Sequence, residues 1–257
     1  MLDIRQIESF YPENLRPFKK NILREYIQYK ILEAIFDSKF GDKLVFMGGT
    51  ASRILYQNTR FSEDLDFDNL GMTQKEFKEL IAIITKRLSL EGYNLETKEV
   101  FKGAYRSYLR IADILFENGL SGHREEKLLI QIDTEPQGFP YKPDKLIINK
   151  FDVFLRIKAV PLDILLAQKL YAIFKRKRAM GRDFYDAVFL FGKTGPDFAY
   201  LRSKLKINNM GELKTRLLTK GKELNFKHLA KDVEAFLFNP ADSKKVLFFC
   251  DYIKSIK

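Results

Sequence analysis

The chain has 257 residues, no tryptophan, a single cysteine (Cys250) and a formal net charge of +11. One cysteine excludes an internal disulfide and any multi-cysteine metal site, and no stretch approaches the roughly 18 uninterrupted apolar residues of a membrane span. With 46% hydrophobic residues the chain can bury an ordinary globular core, and its charged N-terminus lacks the apolar run of a secretion signal, which points to the cytoplasm.

In chain order, residues 15–38 carry apolar side chains (Phe18, Ile22, Tyr26, Ile27, Ile31, Ile35) at helical spacing. The run Leu44-Val45-Phe46-Met47 reads as a buried strand that ends at Gly48-Gly49, and residues 50–58 read as a short helix. Leu65-Asp66-Phe67-Asp68 alternates as a half-buried strand does. Thr73 followed by Glu76 is a capping-box signal, which predicts a helix over 73–91. Extended stretches follow at 93–101, 105–116 and 127–133, then two shorter ones within 145–160. From Pro161 the period changes to 3.6, with helical patterns at 161–178, 182–192, 197–206, 210–219, 226–238 and 241–255.

The charge shifts at the same place. Residues 161–257 hold 20 Lys and Arg against 10 Asp and Glu, so nearly the whole excess lies there. Clustered cations gain by displacing phosphate counterions, so this basic third suggests a polyanion as partner. The two signals together predict an α+β chain. A domain over 1–160 would hold a mixed sheet flanked by helices, followed by an all-α basic domain over 161–257.

Asp64 and Asp66 stand two residues apart in extended backbone, so both project from one face with roots about 6–7 Å apart. Such a pair can converge on a divalent cation, and an oxygen-only donor set suits Mg²⁺. Asp133 ends the run Leu128-Leu129-Ile130-Gln131-Ile132 and becomes a third ligand if its strand neighbours theirs. Gly48 and Gly49 let backbone approach a phosphate, and the helix beginning at Thr50 offers N–H groups, a favourable dipole and a hydroxyl. Arg60 and Ser62, just before Asp64, are further candidate nucleotide contacts, as is Arg53, which reads equally well as surface charge. His123 and His228 lack zinc-ligand spacing, and no P-loop lysine motif or Rossmann fingerprint is present.

The segments GGTASRILY and RFSEDLDF resemble the first motif of the AbiEii/AbiGii toxin family, minimal nucleotidyltransferases related to the MenT toxins. Leu166-Ala167-Gln168-Lys169-Leu170-Tyr171-Ala172 and Gly181-Arg182-Asp183-Phe184-Tyr185-Asp186 resemble that family's later lysine and aspartate motifs, in the right order. The resemblance implies a nucleotidyltransferase-like N-terminal domain. It also implies that Lys169 binds nucleotide phosphates and that Asp183 or Asp186 is essential. The residues alone allow a plainer reading, in which either aspartate, one helical turn apart, holds a lysine that is costly to bury unpaired.

The expected activity is therefore Mg²⁺-dependent transfer of a nucleoside monophosphate from an NTP to an acceptor hydroxyl, with release of pyrophosphate. The tRNA 3′ end fits the basic helices and the resemblance to MenT toxins. The family implies a toxin–antitoxin or phage-defence setting with a cognate antitoxin protein. A nucleotide-binding regulator without transfer activity, and a transferase acting on a small molecule (aminoglycoside-type) or a protein hydroxyl, are the alternatives.

Overall fold

A computed structural model describes residues 2–256 of the chain. Its strands are β1 (Leu44–Met47), β2 (Leu65–Asn69), β3 (Asn94–Lys102), β4 (Ala104–Ala112), β5 (Leu128–Glu135), β6 (Asp144–Lys150) and β7 (Val153–Ala159). They form one seven-stranded sheet in the order β3-β4-β5-β2-β1-β7-β6. The sheet is mixed: β2 runs parallel to β5 and β1 parallel to β7, while the other neighbours are antiparallel.

One face of the sheet makes the core. Leu65, Phe67, Leu109, Ile111, Ile130 and Ile132 are fully buried on it, as strict alternation requires. The Lys19–Phe36 helix packs on β5 and β7, and the Gln74–Leu90 helix on β3 and β4. Phe36 meets Phe67 at 6.3 Å, and Phe77 meets Tyr105 at 5.8 Å, which seats both helices on this face. Thr73 caps the second helix as its sequence predicts, its hydroxyl accepting from the Glu76 N–H and its own N–H donating to the Glu76 carboxylate. On the opposite face Leu129, Ile147 and Phe154 are exposed.

The described chain divides into two compact units. The first holds the chain up to Leu55, with Phe61–Gly138 and Pro143–Ala159, and contains the whole sheet. The second holds Tyr56–Arg60, Phe139–Lys142 and the chain from Val160 onward. Among the described residues, every element from Leu162 to Ser255 is helical.

Two local expectations are corrected, and one element goes unforeseen. The extended stretch expected over 105–116 stops at Ala112, because Asp113 takes a left-handed conformation (φ 61°) and the Ile114–Glu117 helix starts behind it. The helix expected over 241–255 is broken into a 3₁₀ turn at Pro240–Ser243 and two short helices, Lys244–Leu247 and Phe249–Ser255. A helix at Ile4–Ser9, capped by Asp3, carries no sequence signal strong enough to predict it.

Candidate active site

β1 ends at Met47 and the Gly48–Tyr56 helix starts on the next residue. Gly48 makes that abrupt change at φ +81°, a region that favours glycine. The antiparallel register sets Met47 opposite Asp66, which brings the Gly48 backbone against the Asp66 carboxylate. A Cβ at position 48 would lie 2.8 Å from both Cβ and Cγ of Asp66 and closer still to Oδ2. The glycine turn and the metal-binding candidate are thus in van der Waals contact within one unit. Gly49 is buried and Thr50 fully buried. The expected use of the Thr50 hydroxyl is corrected: it donates to the backbone carbonyl of Asp64 and so ties the helix start to the head of β2.

The Lys19–Phe36 helix holds both halves of this arrangement with two residues one turn apart. The Gln28 side-chain amide, 1% exposed, donates to the carbonyls of Ser62 (3.0 Å) and Glu63 (2.9 Å), which fixes the loop leading into Asp64. Ser62 is half-buried there. Glu25 accepts from Arg53 Nε of the glycine helix at 2.8 Å, from Lys150 at 2.7 Å and from the Tyr11 hydroxyl at 2.7 Å. Burial alone would raise the Glu25 carboxyl, but Arg53 and Lys150 outweigh it and hold it below the usual range. Burial, reinforced by the charge of Glu25, pushes the Tyr11 phenol far up and keeps it a neutral donor. Arg53, 13% exposed, thus anchors the helix to Glu25 instead of standing as free surface charge.

Asp64 lies in the extended stretch before β2, Asp66 on β2, and both are half-buried. Asp68, next in the alternation, is buried and accepts the Gln137 N–H at 2.8 Å. Asp133 stands in parallel register beside Asp66 on β5. Its oxygens take a forked pair of hydrogen bonds from Arg106 (2.6 and 3.2 Å) and one from Gln131 (2.7 Å). Among the described residues no group of three His, Cys, Asp or Glu side chains is poised on a common metal position. The donors present, the half-buried carboxylates of Asp64 and Asp66, fit Mg²⁺, which keeps several waters and needs few protein ligands.

The second unit has its own polar centre. Asp186, fully buried, accepts from Arg60 Nε and Nη2 at 2.6 Å each, from Asn58 Nδ2 at 2.8 Å, and pairs with Lys169 Nζ at 2.8 Å. Burial works to raise the Asp186 carboxyl, and Arg60 and Lys169 overcome it, leaving the group far below the carboxylate range. Arg60, expected as a nucleotide contact, is spent on this pair and is 1% exposed. Asp183 lies 2.8 Å from Arg176 Nε and 3.6 Å from Lys169 Nζ. Of the two aspartates, Asp186 is the one that holds Lys169. The Gly181–Phe191 helix carrying both packs its first residue on Leu229, where a Cβ would lie 2.9 Å from the Leu229 carbonyl carbon. The Gly181 N–H donates to Asp232 at 3.0 Å.

Sequence reasoning missed Gln28, Glu25, Asn58 and Arg106. Gln28 and Glu25 left no distinguishing trace, because Arg24, Lys30 and Glu33 stand in the same helical run. Asn58 and Arg106 left none, since their partners lie 128 and 27 residues away.

The model of the nucleotidyl transferase AbiEii toxin family, type IV toxin–antitoxin system, matches residues 30–244. The chain belongs to the AbiEii family. AbiEii proteins are nucleotidyl transferase toxins, so the chain is of an enzyme family, and membership implies an NTP substrate and an antitoxin partner. Two Helicobacter pylori crystal structures share its fold. JHP933 superposes with a TM-score of 0.57 at 17% identity, over 91% of this chain and 90% of that one. A protein described as a candidate nucleotidyltransferase gives 0.58 at 18% identity, over 91% and 92%. No curated relative matches the sequence. No helix among the described residues is long and apolar enough to cross a membrane.

Proposed function

We propose that the chain transfers a nucleoside monophosphate from a Mg²⁺-bound NTP to the hydroxyl of an RNA acceptor, the tRNA 3′ end being the acceptor the reading favours. The observation that carries it is the contact of Gly48 with Asp66, which sets the first turn of a helix beside a half-buried carboxylate. Asp64 and Asp66 would hold the Mg²⁺, which when bound screens the phosphate charge and favours pyrophosphate as leaving group. Gly48, Gly49 and the backbone at Thr50 cradle the phosphates, while Thr50 acts structurally through Asp64. Asp133 serves as a third ligand only by giving up Arg106. In the second unit Asp186 fixes the Lys169 ammonium, with Asp183 a lesser partner. A bond forms between the acceptor oxygen and the α-phosphorus, the bond from that phosphorus to the bridging oxygen breaks, and the acceptor proton passes to water. The net charge of the whole chain supports a polyanionic acceptor over a small molecule.

The test is incubation with each α-³²P-labelled NTP, Mg²⁺ and total tRNA, with Asp66→Ala as control. Label on tRNA from the wild type alone supports the reading. Tight nucleotide binding with label on neither RNA nor protein contradicts transfer to those acceptors.

A further inference from the structure

The sheet face that carries Asp66 continues outward from it in a single row. Asp66 pairs in register with Asp133, and Asp133 with Arg106 of β4. Two strand spacings, on the order of 10 Å, therefore separate the Arg106 and Asp66 backbones. Alternation places Tyr108 and Arg110 on that same face, with Lys98 and Lys102 of β3 beyond them. Lys98 and Lys102 are exposed, Tyr108 and Arg110 are partly exposed, and Leu129 beside Arg110 is 41% exposed.

The charges on this face are uneven. Asp133 is matched by Arg106, and Glu96 by Lys127 at 2.5 Å. Among the described residues, no carboxylate pairs with Lys98, Lys102 or Arg110. The Arg110 guanidinium lies 5.7 Å from the Tyr108 ring centre. The face also carries Glu96, Asp133 and Glu135, but an aromatic ring with unpaired cations on either side of it is what takes an unpaired base by stacking and its phosphates by charge. A double helix, whose bases are stacked internally, would offer nothing to the ring.

We propose that the face formed by β3, β4 and β5 is the docking surface for a single-stranded RNA segment. One base stacks on Tyr108, phosphates lie on Lys98, Lys102 and Arg110, and the strand's end runs along Arg106 and Asp133 toward Asp66. This rests on the transferase reading for its direction, and it places the polyanion contact in the first unit, where the chain carries almost no net charge, instead of on the basic C-terminal third.

The test is fluorescence anisotropy of a short fluorescein-labelled single-stranded RNA with the full-length protein in EDTA and without NTP, where no transfer can occur. Tyr108→Ala is expected to weaken binding about tenfold and Tyr108→Phe less than twofold. The triple variant Lys98→Gln, Lys102→Gln, Arg110→Gln is expected to lower the salt slope by about 2. Lys175→Gln with Lys177→Gln is expected to leave affinity unchanged, and thermal melts report folding of every variant. A wild type that binds no RNA, or Tyr108→Ala and triple variants that bind as the wild type does, overturns the proposal. Transfer of label to a protein by a chain that binds no RNA overturns it together with the RNA acceptor, while leaving nucleotidyl transfer itself intact. RNA binding lost through Tyr108→Ala in a chain that transfers no label upholds the surface and sinks the transferase reading instead.

Discussion

Gly48 and Asp66 touch so closely that no side chain fits between them: any Cβ at position 48 would overlap the Asp66 carboxylate. The glycine thus serves two purposes, opening the backbone toward an anion and leaving Asp66 its rotamer. Gly48→Ala is expected to keep the fold but turn Asp66 aside, lowering the rate of pyrophosphate release at least about 100-fold, the scale on which a misplacement of about 1 Å acts. Steady-state pyrophosphate assays beside a thermal melt check this. A folded Gly48→Ala protein with wild-type turnover contradicts it.

Glu25 and Arg53 predict an order of stabilities. Removing Arg53 leaves Glu25 with Lys150 and Tyr11, so Arg53→Met is expected to cost about 1–3 kcal/mol. Glu25→Gln leaves two cations uncompensated in a largely buried place and is expected to cost about 3–5 kcal/mol. Urea unfolding of both variants gives the comparison, and the reverse order would refute the anchoring role.

Asp186 makes the second unit acid-sensitive. Its carboxyl is held far below its unfolded value by Arg60 and Lys169, so its contribution is present above about pH 4 and is lost as pH falls toward the folded value. Glu25 acts in the same direction in the first unit. Stability of the wild type is therefore expected to fall with decreasing pH below about 4, and that of Asp186→Asn, already lower at pH 7 by about 3–5 kcal/mol, to fall less steeply. Equal slopes in urea unfolding from pH 5 to pH 3 would show that Asp186 is not the titrating group.

Gly181 inverts a general preference. In a helix, glycine to alanine ordinarily gains about 1 kcal/mol. Here the new Cβ would press on the Leu229 backbone, which belongs to the Phe226–Glu234 helix and cannot rotate away. Gly181→Ala is expected to destabilise by about 1–3 kcal/mol, measured by urea unfolding; a stabilised variant would mean the two helices separate freely.

What the sequence made legible were features whose cause is local. The capping box at Thr73 and Glu76, the run Leu44–Met47 ahead of two glycines, and the alternation through Asp64, Asp66 and Asp68 are written in neighbouring residues. Sheet order was not legible, because nothing near β2 says that β5 lies beside it. Side-chain partnership was still less so. Arg60 and Asp186 are 126 residues apart, and an arginine next to a metal-site motif looks the same whether it faces a phosphate or a buried aspartate. The hydroxyl of Thr50 and the claim of Arg106 on Asp133 are of the same kind: each polar group chose a partner within the fold that spacing along the chain cannot reveal.

The claim that Asp64 and Asp66 hold the metal-bound nucleotide beside the glycine turn is tested most directly by calorimetric titration of a non-hydrolysable NTP analogue, with Mg²⁺ and with EDTA. The account predicts that Mg²⁺ tightens binding to the wild type at least about tenfold, a difference of about 1.4 kcal/mol, and that Asp64→Asn with Asp66→Asn abolishes that difference. Equal affinity for the wild type and the double variant in Mg²⁺ would contradict it.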